Sequence, residues 1–176
     1  MTGQINVNKI AARSGNTITV ASGDVLQAPG HTLQTLYLAM TTTTATTSTT
    51  FGLMTGSNLA ITPSSTSSKI LIQYNYAIYV LNGNNNTWRG GKVRLMNVTG
   101  NSVLHADQDY GSVLYSVDGG DRSMGFSSGA FLHSPSTTSA ITYGLECASS
   151  LNGNNVIFNS TNYSRGGHML LQEIAG

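Results

Sequence analysis

Lys69 to Leu81 reads KILIQYNYAIYVL, and two interleaved series of side chains run along it. Ile70, Ile72, Tyr74, Tyr76, Ile78 and Val80 alternate without a break at period two, the pattern of a strand with one dry face. The other series, Leu71, Gln73, Asn75, Ala77, Tyr79 and Leu81, is still half apolar. In a plain sandwich the outward face of a strand meets water and turns polar. The stretch therefore predicts a long strand with a core on one side and a partly covered face on the other. Either another chain covers that face or this chain's own loops do.

Working outward, shorter strand patterns recur between turn signals. Before the long strand, Leu33 to Ala39 alternates, and Leu59 to Ile61 is stopped by Pro63. After it come Lys92–Val98, Ser102–Ala106, Ser112–Val117, Met124–Leu132, Ser139–Cys147, Val156–Phe158 and His168–Ile174. NGNNN, VTGN, VDGGDR, SPSTTS and SLNGNN separate them as turns. The threonine run Thr41–Thr50 looks like low complexity, but β-branched Thr prefers extended backbone, which favours an ordered edge or long loop over a linker. No segment sustains a helical period; NVNKIAAR suffices for a turn or two. The fold class is all-β, with the strand spacing of an antiparallel sandwich or jelly roll.

Pro29-Gly30 marks a boundary. Residues 1–30 read as a small, separate N-terminal segment, which the resemblance given below makes a stem or anchor, and residues 31–176 as the main β domain. Within the first segment, Ile18 and Val20 alternate with Thr17 and Thr19 as a short ribbon. A lone ribbon in water is marginal, so Ile18 and Val20 need something to bury against.

Composition narrows the function. Only 9% of the 176 residues are charged, against about 25% in an ordinary soluble protein. Ser, Thr, Asn and Gly make up about 45% of the chain. A net charge of +1 selects neither nucleic acid nor an anionic membrane. The surface suits a chain that packs against copies of itself. Cys147 is alone, which excludes an intrachain disulfide and a cysteine-based metal cluster. MTGQINVNKI lacks the apolar core of a signal peptide, and no apolar stretch has the length of a membrane span. The Asn-x-Ser/Thr matches at Asn85, Asn97, Asn159 and Asn162 read as chance in so Asn- and Thr-rich a chain.

The supply of catalytic groups is thin. Among seven carboxylates, the His105-Ala106-Asp107-Gln108-Asp109 cluster is the densest, and it fits a strand running into a loop. Asp118-Gly119-Gly120-Asp121 is a tight turn without the ligand density of a calcium loop. His31, His133 and His168 lack metal-ligand spacing, and Cys147 shares a face with Ile141, Tyr143 and Leu145 as a small core residue. No catalytic residue, metal or cofactor is expected. Surface recognition is the stronger signal: Asn84, Asn85, Asn86, Trp88 and Arg89 fall in LNGNNNTWRGG, and Tyr110 lies in another loop. An aromatic platform flanked by amides suits stacking on sugar rings or packing across a protein interface. The competing reading has Trp88 opening the next strand and pointing inward.

INVNKIAARSGNTITVASGDVLQAPGHTLQT resembles the opening of small structural and fibre-like virion proteins of tailed bacteriophages, especially marine and cyanobacterial ones. SNLAITPSSTSSKILI resembles a strand-turn-strand of the same proteins, and HMLLQEIAG their closing strand. The middle, about Leu81 to Ser164, carries no resemblance. The resemblance implies a homotrimeric jelly roll, similar to the tumour-necrosis-factor-like fold, on a short trimeric stem. On that reading Ile18, Val20, Leu71, Tyr79 and Leu81 are trimer contacts. The implied role is a non-enzymatic virion protein made in the bacterial cytoplasm. It would be a short tail fibre or fibre tip touching a host glycan or protein, or else a capsid decoration protein bound to the head. A carbohydrate-binding module with Trp88 as its platform is the alternative from another class.

Overall fold

The computed structural model describes residues 29–81, 87–106, 113–116, 122–160 and 166–176. Ile18, Val20, the NVNKIAAR turn, Asn84, Asn85, Asn86 and Tyr110 lie outside the described residues. Twelve strands are described: β1 (Thr32–Met40), β2 (Thr44–Thr46), β3 (Gly52–Leu53), β4 (Leu59–Ile61), β5 (Lys69–Leu81) and β6 (Thr87–Asn97), then β7 (Ser102–Ala106), β8 (Val113–Ser116), β9 (Arg122–His133), β10 (Ile141–Ser149), β11 (Val156–Phe158) and β12 (Gly167–Ile174).

They form two antiparallel sheets. In the first, β5 pairs along its length with β9 on one side, and with β12 and then β11 on the other; β1 flanks β12 and β2 flanks β11. In the second, β10 lies between β6 and the short strands β3 and β4, while β7 and β8 border β6. The orders β1-β12-β5-β9 and β4-β10-β6-β7 are those of a jelly-roll sandwich.

The core follows from the period-two series. Ile70, Ile72, Tyr74, Tyr76, Ile78 and Val80 are all buried, and they meet Val93, Leu95, Tyr143, Leu145 and Cys147 of the opposite sheet in one cluster. Tyr74 and Tyr76 stack at 6.2 Å between ring centroids, and Phe158 closes on Tyr76 at 6.4 Å. These large rings need room. At Gly129 of β9 a β-carbon would stand inside van der Waals contact of the Tyr74 ring. At Gly91 of β6 it would do the same to Phe158 and Val156.

Part of the threonine run is strand, since β2 pairs with β11. β3 carries no alternation and was not anticipated. Of the two readings of Trp88, loop or start of the next strand, the structure takes the strand, and Arg89 goes with it. β6 begins at Thr87 and pairs Trp88 with Tyr115 and Arg89 with Leu114. The Arg89 side chain is only 3% exposed, and its Nη1 donates to Asn154 Oδ1 at 3.4 Å. A run of Gly and Asn reads as loop locally, but pairing with β8 carries β6 back to Thr87.

The segment ends gather at one pole. Gly30 N–H donates to the Ala175 carbonyl and Ala175 N–H to the His31 carbonyl, both at 2.8 Å. Beside them Glu173 is wholly inaccessible. Its Oε1 accepts from Ser64 N–H, Ser64 Oγ and Ser68 Oγ at 2.7 Å each, and its Oε2 from Gln34 Nε2 at 2.6 Å. Burial alone pushes this carboxyl up, but the hydrogen bonds from Ser64, Gln34 and Ser68 outweigh it and hold the group below the ordinary carboxylate value. ITPSSTSSK is thus a hydroxyl-lined clasp on the last strand.

Candidate assembly face

The outward face of the first sheet can be read row by row from its registers. One row runs Thr35, Gln172, Leu71, Leu132; the next Tyr37, Leu170, Gln73, Ala130; the next Ala39, His168, Asn75, Ser128. Beyond them Ala77 pairs with Phe126, and Tyr79 with Met124 and Ile157. No residue in these rows carries a formal charge at neutral pH. Lys69, at one end of β5, and Arg122, at the opposite end of the sheet, bracket them.

Large apolar side chains stand out of this face into solvent: Tyr37 is 63% exposed, Phe126 56% and Leu132 49%. Between them lies a depression of about 430 Å³, lined by Tyr37, Gln73, Asn75, Ser128, Ala130, His168 and Leu170. At strand spacings of about 4.8 Å and about 3.3 Å per residue the face covers on the order of 500 Å². Amides, hydroxyls and an imidazole share this face with its exposed apolar side chains.

The second sheet presents the opposite character. Lys92, Arg94 and Glu146 stand on its outward face. Arg94 Nε donates to Glu146 Oε2 at 2.6 Å, and the guanidinium lies 4.4 Å from the Phe51 ring centroid. Among the described residues, the middle rows of the first sheet's outward face thus carry no charged side chain, whereas the second sheet's outward face carries three.

Of the residues singled out from the sequence, Leu71 and Leu81 are half-buried on the uncharged face. Tyr79 is on the same face but only 7% exposed within a single chain. The exposed bulk comes instead from Tyr37 of β1 and from β9, whose sequence reads as an ordinary strand. In RSMGFSSGAFLH, Met124, Phe126, Ser128, Ala130 and Leu132 face out, while Ser123, Gly125, Ser127 and Gly129, followed by Phe131 and His133, face in. Tyr74 occupies the inward space, so the small residues turn toward it and Met124 and Phe126 are left outside. Once β9 is paired with β5, its glycines opposite the tyrosines give this orientation.

Two histidines tie the sheets together along the β7–β9 side. Tyr143 Oη and His133 Nδ1 are 2.8 Å apart, and Tyr74 Oη and His105 Nδ1 are 3.5 Å apart. Burial pulls His133 below the ordinary imidazole value and pushes Tyr143 up to about 12. Among the described residues, no three His, Cys, Asp or Glu side chains gather where they could hold a metal ion.

No family model and no curated protein matches the chain. Among solved structures it is similar to coat proteins of infectious bursal disease virus. A VP2 subviral particle aligns at a TM-score of 0.46 and 8% identity, covering 92% of this chain and 43% of that one. A virus structure of the Gx strain gives 0.42 and 9%, covering 90% and 42%. The T13 particle gives 0.42 and 10%, covering 89% and 36%. The chain spans less than half the length of each.

Proposed function

We propose that this chain is a non-enzymatic structural protein of a tailed-phage virion that works as a homotrimer packed through the outward face of its first sheet. The observation that carries the assembly is the row-by-row absence of charge on that face, with Tyr37, Phe126 and Leu132 exposed on it and the charged pair confined to the other sheet. In a threefold arrangement each protomer meets two neighbours, so this face of about 500 Å² is divided between them, and residues beyond its rows supply the rest of the roughly 800 Å² per partner of a standard interface. The virion setting rests on the resemblance of both ends of the chain to phage appendage proteins. Within it, the preferred role is a short tail fibre or fibre tip, with capsid decoration as the alternative.

The test has two parts. The solution mass of the full-length protein is expected at three times 18.5 kDa; a monomer at micromolar concentration overturns the assembly. Labelled antibody on intact virions then separates the two roles, marking the tail tip for a fibre and the capsid surface for a decoration protein. Absence from the particle refutes both.

A further inference from the structure

His168 sits in the middle row of the uncharged face and forms one wall of its central depression. Its ring centroid lies 5.8 Å from that of the exposed Tyr37, and its backbone N–H donates to Asn75 Oδ1 at 2.9 Å. From β1 it is faced by Tyr37 and Ala39, from β5 by Gln73 and Asn75, and from β9 across Asn75 by Ser128; Leu170 follows on its own strand. The nearest carboxylate on these four strands, Glu173, is turned inward and taken up by Ser64, Ser68 and Gln34. Lys69, at the end of β5, would add to a positive charge here rather than balance it. Among the described residues, an imidazolium at this position has no counter-ion.

On the assembly reading above, on which this inference rests, His168 goes from half-open to covered when copies meet. Imidazole is the side chain that changes charge between about pH 5 and 8. Covering it among amides, hydroxyls and apolar groups disfavours the charged form, since an unpaired charge removed from water is costly. We infer that His168 gates the assembly by pH: the faces associate while it is neutral and separate as it protonates. For each unit by which covering lowers the imidazole's titration point, full protonation weakens association about tenfold per protomer, or about a thousandfold for three.

The experiment is a dilution series of the full-length protein by sedimentation at pH 7.5 and pH 5.5, alongside His168→Gln, with far-ultraviolet circular dichroism confirming the fold. His168→Leu replaces the Gln variant if that one misfolds. The expected result is wild-type trimer at pH 7.5, dissociation at pH 5.5 at least tenfold easier in concentration, and no such shift in the variant. Wild type equally trimeric at both values overturns the gate and leaves the assembly standing. The same acid shift in wild type and variant assigns the effect to another group and also overturns it. No trimer at any pH refutes the assembly itself, and the gate with it.

Discussion

Replacing Phe126 by Ala separates the stability of the fold from the stability of the assembly. The ring stands on β9 beside buried Ala77 and is 56% exposed in the single chain. An aromatic side chain buries about 150–250 Å² when fully covered, so roughly 100 Å² of Phe126 remains for a partner. At about 25 cal/mol per Å² that area contributes about 2.5 kcal/mol, of which about 2 is lost on truncation to Ala. Three protomers lose about 6 kcal/mol, which raises the trimer dissociation constant about ten-thousandfold at about 1.4 kcal/mol per decade. Because that constant scales with the square of concentration, the midpoint of dissociation moves up about a hundredfold. Folding of the isolated chain changes little, since substitutions at exposed positions stay within about 0.5 kcal/mol. Sedimentation across a dilution series measures the midpoint, and urea unfolding below both midpoints measures the fold. An unmoved midpoint with an intact fold would refute the placement of Phe126 in the interface.

Glu173→Gln leaves Ser64 and Ser68 donating into a group that is no longer charged, and costs about 2–3 kcal/mol in urea unfolding. Because the folded carboxyl titrates below its ordinary value of 4.5, its contribution is complete above that value and is lost as pH falls through the folded one; the variant should lose this acid dependence. His133 is lowered from 6.5, so the unfolded chain takes up its proton first and stability declines as pH drops below about 6.5; His133→Gln should flatten that decline, and Tyr143→Phe should cost about 1–2 kcal/mol at pH 7.5. Gly129→Ala forces a methyl into the Tyr74 ring and should destabilise by about 1–3 kcal/mol in thermal or urea unfolding. Cys147 is buried beside Glu146 and pushed up to about 12, so a thiol reagent at pH 8 should leave it unmodified in the native protein and react fully in urea.

β5 was legible in sequence because the strand is long, both its series are informative, and its core face has no polar interruption. β11 and β4 were legible because Pro and Asn/Gly punctuation brackets short apolar runs. What escaped depends on partners distant in sequence. The sequence left loop and strand open for Trp88, and pairing with β8, which nothing in GNNNTWRGG encodes, decides for the strand. The orientation of β9 is set by the tyrosines of β5, about fifty residues earlier, so its outward bulk emerges only once the two strands are placed side by side. Glu173 reads as a polar residue near a strand end; its burial follows from the fold bringing Ser64 and Ser68 to it across more than a hundred positions.

The pairing of β1 with β12 also has a mechanical meaning. The chain enters the sandwich at Gly30, and β1 runs from there to Met40 against β12 in continuous register, with one irregularity near Thr32. Tension on Gly30 directed along the strand, away from Met40, loads the hydrogen bonds of that ladder together, in shear. Tension directed sideways loads them one at a time, beginning with Gly30 to Ala175, and peels the strand open. The same ladder is therefore a strong tether for axial load and a weak one for lateral load, and the direction of pull on Gly30 decides which of the two the protein presents.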